Sequence, residues 1–284
     1  MKKILVIGNG FLGKSINLFK SENYEITCVS KNNSELTVDI RNIKSLEKII
    51  IKTNPQIIIN CAALTNVDEI EKNSKEAFEV NSYGAENIAK IASKYNIRLL
   101  HISTDSVFDG KKGMYSEEEI PIPINEYAKS KKLGEDLVIN NSKNFVIIRT
   151  NFYGINNEKK FLLNWVIDNL KNDKKIIGFN NIIFSPLEIK NLVNMLLELS
   201  ENNFQGIIHL SSNEPISKYY FAKKISNILG FNEKNIIKGN IEDIDFVAKR
   251  PNNTSLSNSL AKSILKTKII SLDEWLIQNK SKLG

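Results

Sequence analysis

Six residues near the start of the chain restrict its fold more than any others: Gly8-Asn9-Gly10-Phe11-Leu12-Gly13. The apolar run Lys3–Ile7 precedes them and reads as a buried strand. A helical pattern from about Phe11 to Lys20 follows. Glycines at these spacings permit a tight turn, a close approach to a pyrophosphate, and close packing of helix on sheet. The amides at the start of such a helix point at the phosphates. A strand before the loop and a helix after it are the context that gives the pattern meaning. The loop therefore implies a bound dinucleotide.

The rest of the first half alternates in the same way. Strands are expected at Glu25–Val29, Thr37–Ile40, Gln56–Asn60, Arg98–Ser103 and Phe145–Arg149. Helices are expected at Ser45–Thr53, Lys75–Tyr95 and Asn125–Ile139. Apolar strands alternating with amphipathic helices predict an α/β fold, a Rossmann-type doubly wound parallel sheet covered on both faces. The second half is less regular. It suggests helices at Lys160–Lys171, Leu187–Leu199, Lys218–Leu229 and Leu272–Asn279, and strands at Lys175–Phe179 and Gly206–Leu210. No linker interrupts the chain. The expected organisation is a nucleotide-binding domain over 1–150, with elements from about 175–212 returning to it. A smaller interleaved α/β substrate lobe takes up most of 151–284.

Composition excludes several classes. Net charge is +7, but the lysines are scattered among Glu and Asn, and arginine occurs only at Arg41, Arg98, Arg149 and Arg250. That is a solvated surface and not a nucleic-acid groove. No run approaches the roughly 18–20 apolar residues of a membrane helix, and the first apolar run is too short for a signal peptide. A cytoplasmic protein without a membrane partner is expected. Two isolated cysteines, Cys28 and Cys61, form neither a metal site nor a disulfide framework. His101 and His209 read as core or edge residues, and Trp165 and Trp275 as packing.

Two further groups carry chemistry. Tyr127 and Lys131 lie four apart on a predicted helix and so share a face. A nearby ammonium would lower the phenol's pKa and make it a usable proton donor to a carbonyl. Ser103-Thr104-Asp105 follows a predicted strand, at the carboxyl end where such folds bind ligands. The second strand ends in Ser30-Lys31-Asn32, without the acidic residue that holds the ribose of NAD. Lys31 there would attract a 2′-phosphate, which favours NADPH over NADH. The same lysine also reads as a solvated turn residue.

Together these motifs resemble the extended short-chain dehydrogenases, and within them the dTDP-4-dehydrorhamnose reductases over nearly the whole chain. The resemblance runs through Asn60–Asp68, Val80-Asn81, Ser103–Gly110, Tyr115-Ser116-Glu117, Pro123–Tyr127, Leu133-Gly134-Glu135, Arg149-Thr150, His209-Leu210-Ser211 and Arg250-Pro251. It implies catalytic roles for Thr104, Tyr127 and Lys131. It implies cofactor contacts at Gly8 to Gly13, Ser30, Lys31, Asp39, Ile40, Ala62, Ala63, Leu64 and Asn81. It implies substrate contacts at Thr65, Asp105, Ser106, Asn151, Phe152 and Arg250, with Arg250 near the diphosphate. The implied activity is NADPH-dependent reduction of the 4-keto group of a dTDP-linked 6-deoxy sugar, in a homodimer serving surface polysaccharide synthesis. Three departures stand near the sugar and the loop. Ser106 replaces a large aromatic, Asn151-Phe152-Tyr153 replaces a Ser-Trp pair, and the glycine loop is one residue shorter. An epimerase or dehydratase of the same class is the alternative enzyme, although Ser106 occupies the place of a dehydratase's acid-base carboxylate. A regulatory subunit that binds NADP without catalysis, like the beta subunit of methionine adenosyltransferase, is the non-enzymatic alternative.

Overall fold

The computed structural model describes residues 1–32, 34–156 and 161–283. Its centre is a seven-stranded sheet of β1 (Lys2–Ile7), β2 (Tyr24–Ser30), β3 (Leu36–Thr37), β4 (Ile57–Asn60), β5 (Arg98–Ile102), β6 (Phe145–Thr150) and β11 (Gly206–Leu210). The order is β11-β6-β5-β4-β1-β2-β3, and every pairing is parallel. The chain winds outwards from β1 in both directions, so the topological switch lies between β1 and β4. Ligands of doubly wound sheets bind at the carboxyl ends beside that switch.

Side chains alternate across the pleat. Ile4 and Val6 enter one core with α1 (Phe11–Asn17), α8 (Ile189–Glu201) and α10 (Ser259–Ile264). Leu5 and Ile7 enter the other with α2 (Ile43–Thr53), α5 (Ala85–Lys94) and α6 (Glu126–Asn141). A third core joins α7 (Leu162–Lys171), α9 (Lys218–Leu229) and α11 (Leu272–Leu283). It is edged by three two-stranded pairs: β7 (Phe152–Tyr153) with β10 (Leu187–Glu188), β8 (Ile176–Phe179) with β13 (Ile236–Gly239), and β9 (Ile183–Phe184) with β12 (Ile216–Ser217). Of the stretch 175–212, α8 and β11 join the large sheet unit, whereas β8 pairs outside it. Among the described residues no helix is long and apolar enough to cross a membrane.

Two expectations need correction. The third strand is Leu36–Thr37 and stops before Ile40, because Asp39 turns the chain by accepting the amide of Arg41 at 3.0 Å. The single helix expected over Lys75–Tyr95 is interrupted. It begins as α4 (Lys75–Ala77), widens into a π turn over Phe78–Gly84, and resumes as α5. Such π turns often mark functional sites, and this one carries Asn81. The helix expected from Lys160 is observed from Leu162; Lys160 itself lies outside the described residues. A short α3 (Val67–Lys72), capped by Asn66, precedes the π segment.

Candidate active site

The glycine loop adopts the backbone that its composition allows. Gly8 has a φ of +105°, and a Cβ there would sit 2.7 Å from the amide nitrogen of Ala62. Its own amide donates to the Val29 carbonyl at 2.7 Å. A Cβ on Gly13 would overlap the Gly8 carbonyl oxygen at 1.8 Å, so helix and loop touch with no room between them. Gly10 caps α1, and neither a side-chain cap nor an acidic residue covers the first turn. Open amides at a helix start fit the pyrophosphate of a dinucleotide. Leu12 contributes backbone only, since its side chain is in the core. The Phe11 ring lies 6.0 Å from that of Phe152 and 4.9 Å from that of Phe161, which brings an expected cofactor residue against an expected substrate residue.

The loop after β4 is held from behind. Asn60 accepts the Ala62 amide at 3.1 Å and pairs with His101 at 3.0 Å. Asn81 accepts the Leu64 amide at 2.8 Å, and its Nδ2 donates to the Leu64 carbonyl and the Ser130 hydroxyl, each at 3.0 Å. The π turn presents this side chain, and Gly134 lets α6 approach it, since a Cβ there would meet the Asn81 carbonyl at 2.3 Å. Asn81 therefore ties the Ala62–Thr65 loop to the helix that carries Tyr127. Ala62 and Ala63 stay half-buried, and Leu64 and Thr65 are exposed.

At the far end of β2 the structure modifies the expectation. The Lys31 ammonium lies 3.8 Å from the Asp39 carboxylate. Arg41, which sequence reasoning passed over, grips the same carboxylate at 2.6 Å and also reaches Glu79 at 3.2 Å. Hydrogen bonds from Arg41 hold the Asp39 carboxyl below its ordinary pKa. A carboxylate is thus present, but two cations neutralise it. Ser30 bonds into the turn through Ser34. Ile40 does not offer its side chain to a ligand; it is buried in the core against Gly84.

The catalytic candidates converge at the carboxyl end of β5. Thr104 and Asp105 follow the strand after Ser103, and Lys131 is only 2 % exposed, with its Nζ donating to the Ile102 carbonyl at 2.8 Å. Thr104 lies close enough to the Tyr127 phenol to work towards a lower pKa there. The expected effect of Lys131 on the phenol is not observed. Burial, reinforced by the charge of Asp105, pushes Tyr127 up to about 12 despite Thr104. The ammonium is turned to the Ile102 carbonyl, and burial holds its own pKa at about 8.

Asp105 organises the residues expected on the substrate side. It is 2 % exposed, and it accepts from Thr254 at 2.8 Å, Asn151 at 3.1 Å, Thr104 at 3.2 Å and Ser106 at 3.3 Å. Burial still raises its pKa. Thr254 escaped sequence reasoning, and no local signal marks it. Arg250 forms an ion pair with Asp68 at 2.6 Å, while its Nη1 is buried without a partner. Below the site, Glu135 and Arg149, each 1 % exposed, pair at 2.8 Å and hold Ser103 through its hydroxyl. Among the described residues no cluster could hold a metal ion.

Comparison with known proteins agrees with this geometry. The family model of the RmlD substrate binding domain matches residues 1–279. A dTDP-4-dehydrorhamnose reductase of Aggregatibacter actinomycetemcomitans is 33% identical over 235 residues, covering 78% of this chain and 77% of its own. The spore coat polysaccharide biosynthesis protein SpsK of Bacillus subtilis is 31% identical over 264 residues, covering 91% and 90%. The crystal structure of a dTDP-4-dehydrorhamnose reductase from Bacillus anthracis, in complex with NADP, superposes with a TM-score of 0.88 at 29% identity, covering 100% and 99%.

Proposed function

The chain belongs to the family of the RmlD substrate binding domain, that of the dTDP-4-dehydrorhamnose reductases, and we propose that it reduces the 4-keto group of a dTDP-linked 6-deoxy sugar. It is an oxidoreductase and its cofactor is NADPH. The Gly8–Gly13 loop and the Ala62–Leu64 backbone would hold the cofactor, with Lys31 and Arg41 beside its adenosine end. Bound there, NADPH supplies a hydride.

The protein's own residues do the rest. Thr104 would turn its single O–H from Asp105 to the sugar carbonyl oxygen and polarise it. Tyr127, raised by burial, keeps its proton at neutral pH, and would deliver it from the phenol oxygen to the alkoxide that forms, a much stronger base. Lys131 has donor capacity beyond its bond to Ile102, since an ammonium has three N–H groups. It would orient the nicotinamide ribose and stabilise the phenolate left after transfer. Asp105, still held by Thr254, Asn151 and Ser106, would fix Asn151 and not itself move a proton. The observation that carries this reading is the convergence of Thr104, Tyr127 and Lys131 on the end of β5, beside the glycine loop. The name of the Bacillus subtilis relative supports a place in polysaccharide synthesis, and the same reading includes a homodimer.

The test follows NADPH consumption with an enzymatically generated dTDP-4-keto-6-deoxy sugar, for wild type and Tyr127→Phe. Loss of a positioned proton donor should slow turnover by about 10²–10⁴-fold with NADPH affinity unchanged. If wild type binds NADPH and turns over none of that sugar, the substrate assignment falls.

A further inference from the structure

Glu135 is a fully buried carboxylate beneath the site. It stands one helical turn after Lys131 on α6, so the two side chains share a face. Arg149 on β6 holds it with two bonds, Nε to Oε1 at 3.0 Å and Nη2 to Oε2 at 2.8 Å. The guanidinium lies 5.2 Å from the centre of the Phe108 ring, which keeps the pair in place. A third donor, the Ser103 hydroxyl, comes from just past the end of β5. A buried ion pair generally adds no more stability than apolar residues of the same volume. Its position under a reaction centre therefore points to another use.

Ser103 lies between Ile102, whose carbonyl accepts Lys131, and Thr104. Its amide donates to the Ile148 carbonyl at 2.7 Å. Through Ser103, Glu135 grips the short segment that presents the acceptor of Lys131 on one side and Thr104 on the other. It also acts on the ammonium through space. Burial works against the charge of Lys131, and the Glu135 carboxylate is the largest influence that opposes burial. The other groups facing Lys131 give it no counter-charge. Burial pushes the Cys61 thiol up, after β4, and holds the His101 imidazole on β5 well below its ordinary value. On α6 itself Tyr127 keeps its proton. Arg149 is positive and already paired with Glu135. Among the described residues Glu135 is thus the anion that favours the ammonium.

We propose that Glu135 is a positioning residue, which keeps Lys131 charged and the Ile102–Thr104 segment in place from beneath the site. Its consequence for turnover rests on the reductase reading above; its effect on Lys131 does not.

The experiment observes Lys131 directly. Protein labelled with carbon-13 at the lysine ε-carbons is titrated by NMR, and the Lys131 signal is assigned by its loss in Lys131→Met. Wild type should titrate near pH 8. In Glu135→Gln, which keeps the shape and removes the charge, the midpoint should fall by about one pH unit. Glu135→Asp, which restores the charge, should recover most of that shift. The kcat/KM for the keto sugar should follow the proton. Glu135→Gln should match wild type near pH 6, where both hold the ammonium, and be about tenfold slower near pH 9. A residue that merely supports the fold would slow turnover equally at every pH. Because Glu135→Gln strands the buried Arg149 cation, the double variant Glu135→Leu with Arg149→Met is titrated beside it, and its midpoint should also lie below that of wild type. Unfolding midpoints establish which variants are folded. A Lys131 midpoint near 8 in either folded variant, or a slowdown independent of pH, overturns the proposal. A wild type whose Lys131 responds as expected but which turns over no keto sugar overturns the reductase reading and leaves the support of Lys131 by Glu135 standing.

Discussion

Alkaline pH should switch this protein off through Lys131 and not through Tyr127. The Lys131 ammonium is enclosed, donates to the Ile102 carbonyl at 2.8 Å, and has its pKa held at about 8 by burial. Burial pushes the Tyr127 phenol up to about 12. Reduction needs the phenol protonated, a condition met throughout neutral and mildly alkaline solution, so the ammonium is lost first. The pH profile of kcat/KM reports the groups of the free enzyme. It is expected to bend near pH 8 and then fall towards tenfold per pH unit. Lys131→Met should be slow at every pH, by about 10²–10⁴-fold, and should lack that bend. The same titration changes stability. The folded pKa of Lys131 lies below the ordinary lysine value of 10.5, so between about 8 and 10.5 the unfolded chain binds more protons and stability rises with pH. The burial penalty, on the order of 3 kcal/mol, is fully present below the folded pKa and relieved above it. Urea unfolding of Lys131→Met should therefore show an advantage over wild type at neutral pH that shrinks as the pH rises through that window. A wild-type bend above pH 10, or a bend near 8 that survives in Lys131→Met, would refute the assignment.

The buried Glu135–Arg149 pair tests the support beneath the site. Arg149→Met alone leaves a carboxylate uncompensated at a position 1 % exposed and should destabilise by about 3–5 kcal/mol in urea unfolding. Adding Glu135→Leu should recover much of that loss; a double variant no more stable than the single one contradicts the reasoning. Gly13→Ala brings a Cβ within 1.8 Å of the Gly8 carbonyl oxygen, so the loop must open. NADPH affinity, read by fluorescence titration, should fall at least about tenfold, since overpacking strain of 1–3 kcal/mol falls directly on the binding backbone. Unchanged affinity would show that the helix start tolerates displacement and that the contact is incidental.

What the sequence reveals here depends on how far apart the cooperating residues lie. The glycine loop is legible because strand, loop and helix are contiguous, and Gly8 and Gly13 answer contacts within the same turn or with the adjacent strand. Tyr127 and Lys131 are legible because one helical turn separates them. The environment of that pair is not legible. Nothing in Tyr127 to Lys131 indicates that the ammonium turns to Ile102 and that burial raises the phenol. The π turn escapes for a related reason: one extra residue per turn leaves the apolar spacing of Lys75–Tyr95 almost unchanged, yet it is what aims Asn81 at the Leu64 backbone. Two-residue strands such as Leu187–Glu188 are too short to show any period. Thr254 on Asp105 and Arg250 on Asp68 are contacts across 149 and 182 positions, and only packing of the small lobe on the large one creates them. The cofactor side is built from local motifs and the substrate side from long-range contacts. It follows that substrate selectivity is to be sought at residues such as Thr254, and not at the glycine loop or the Tyr127–Lys131 pair. Substitutions there should change KM among sugar nucleotides while leaving NADPH binding intact.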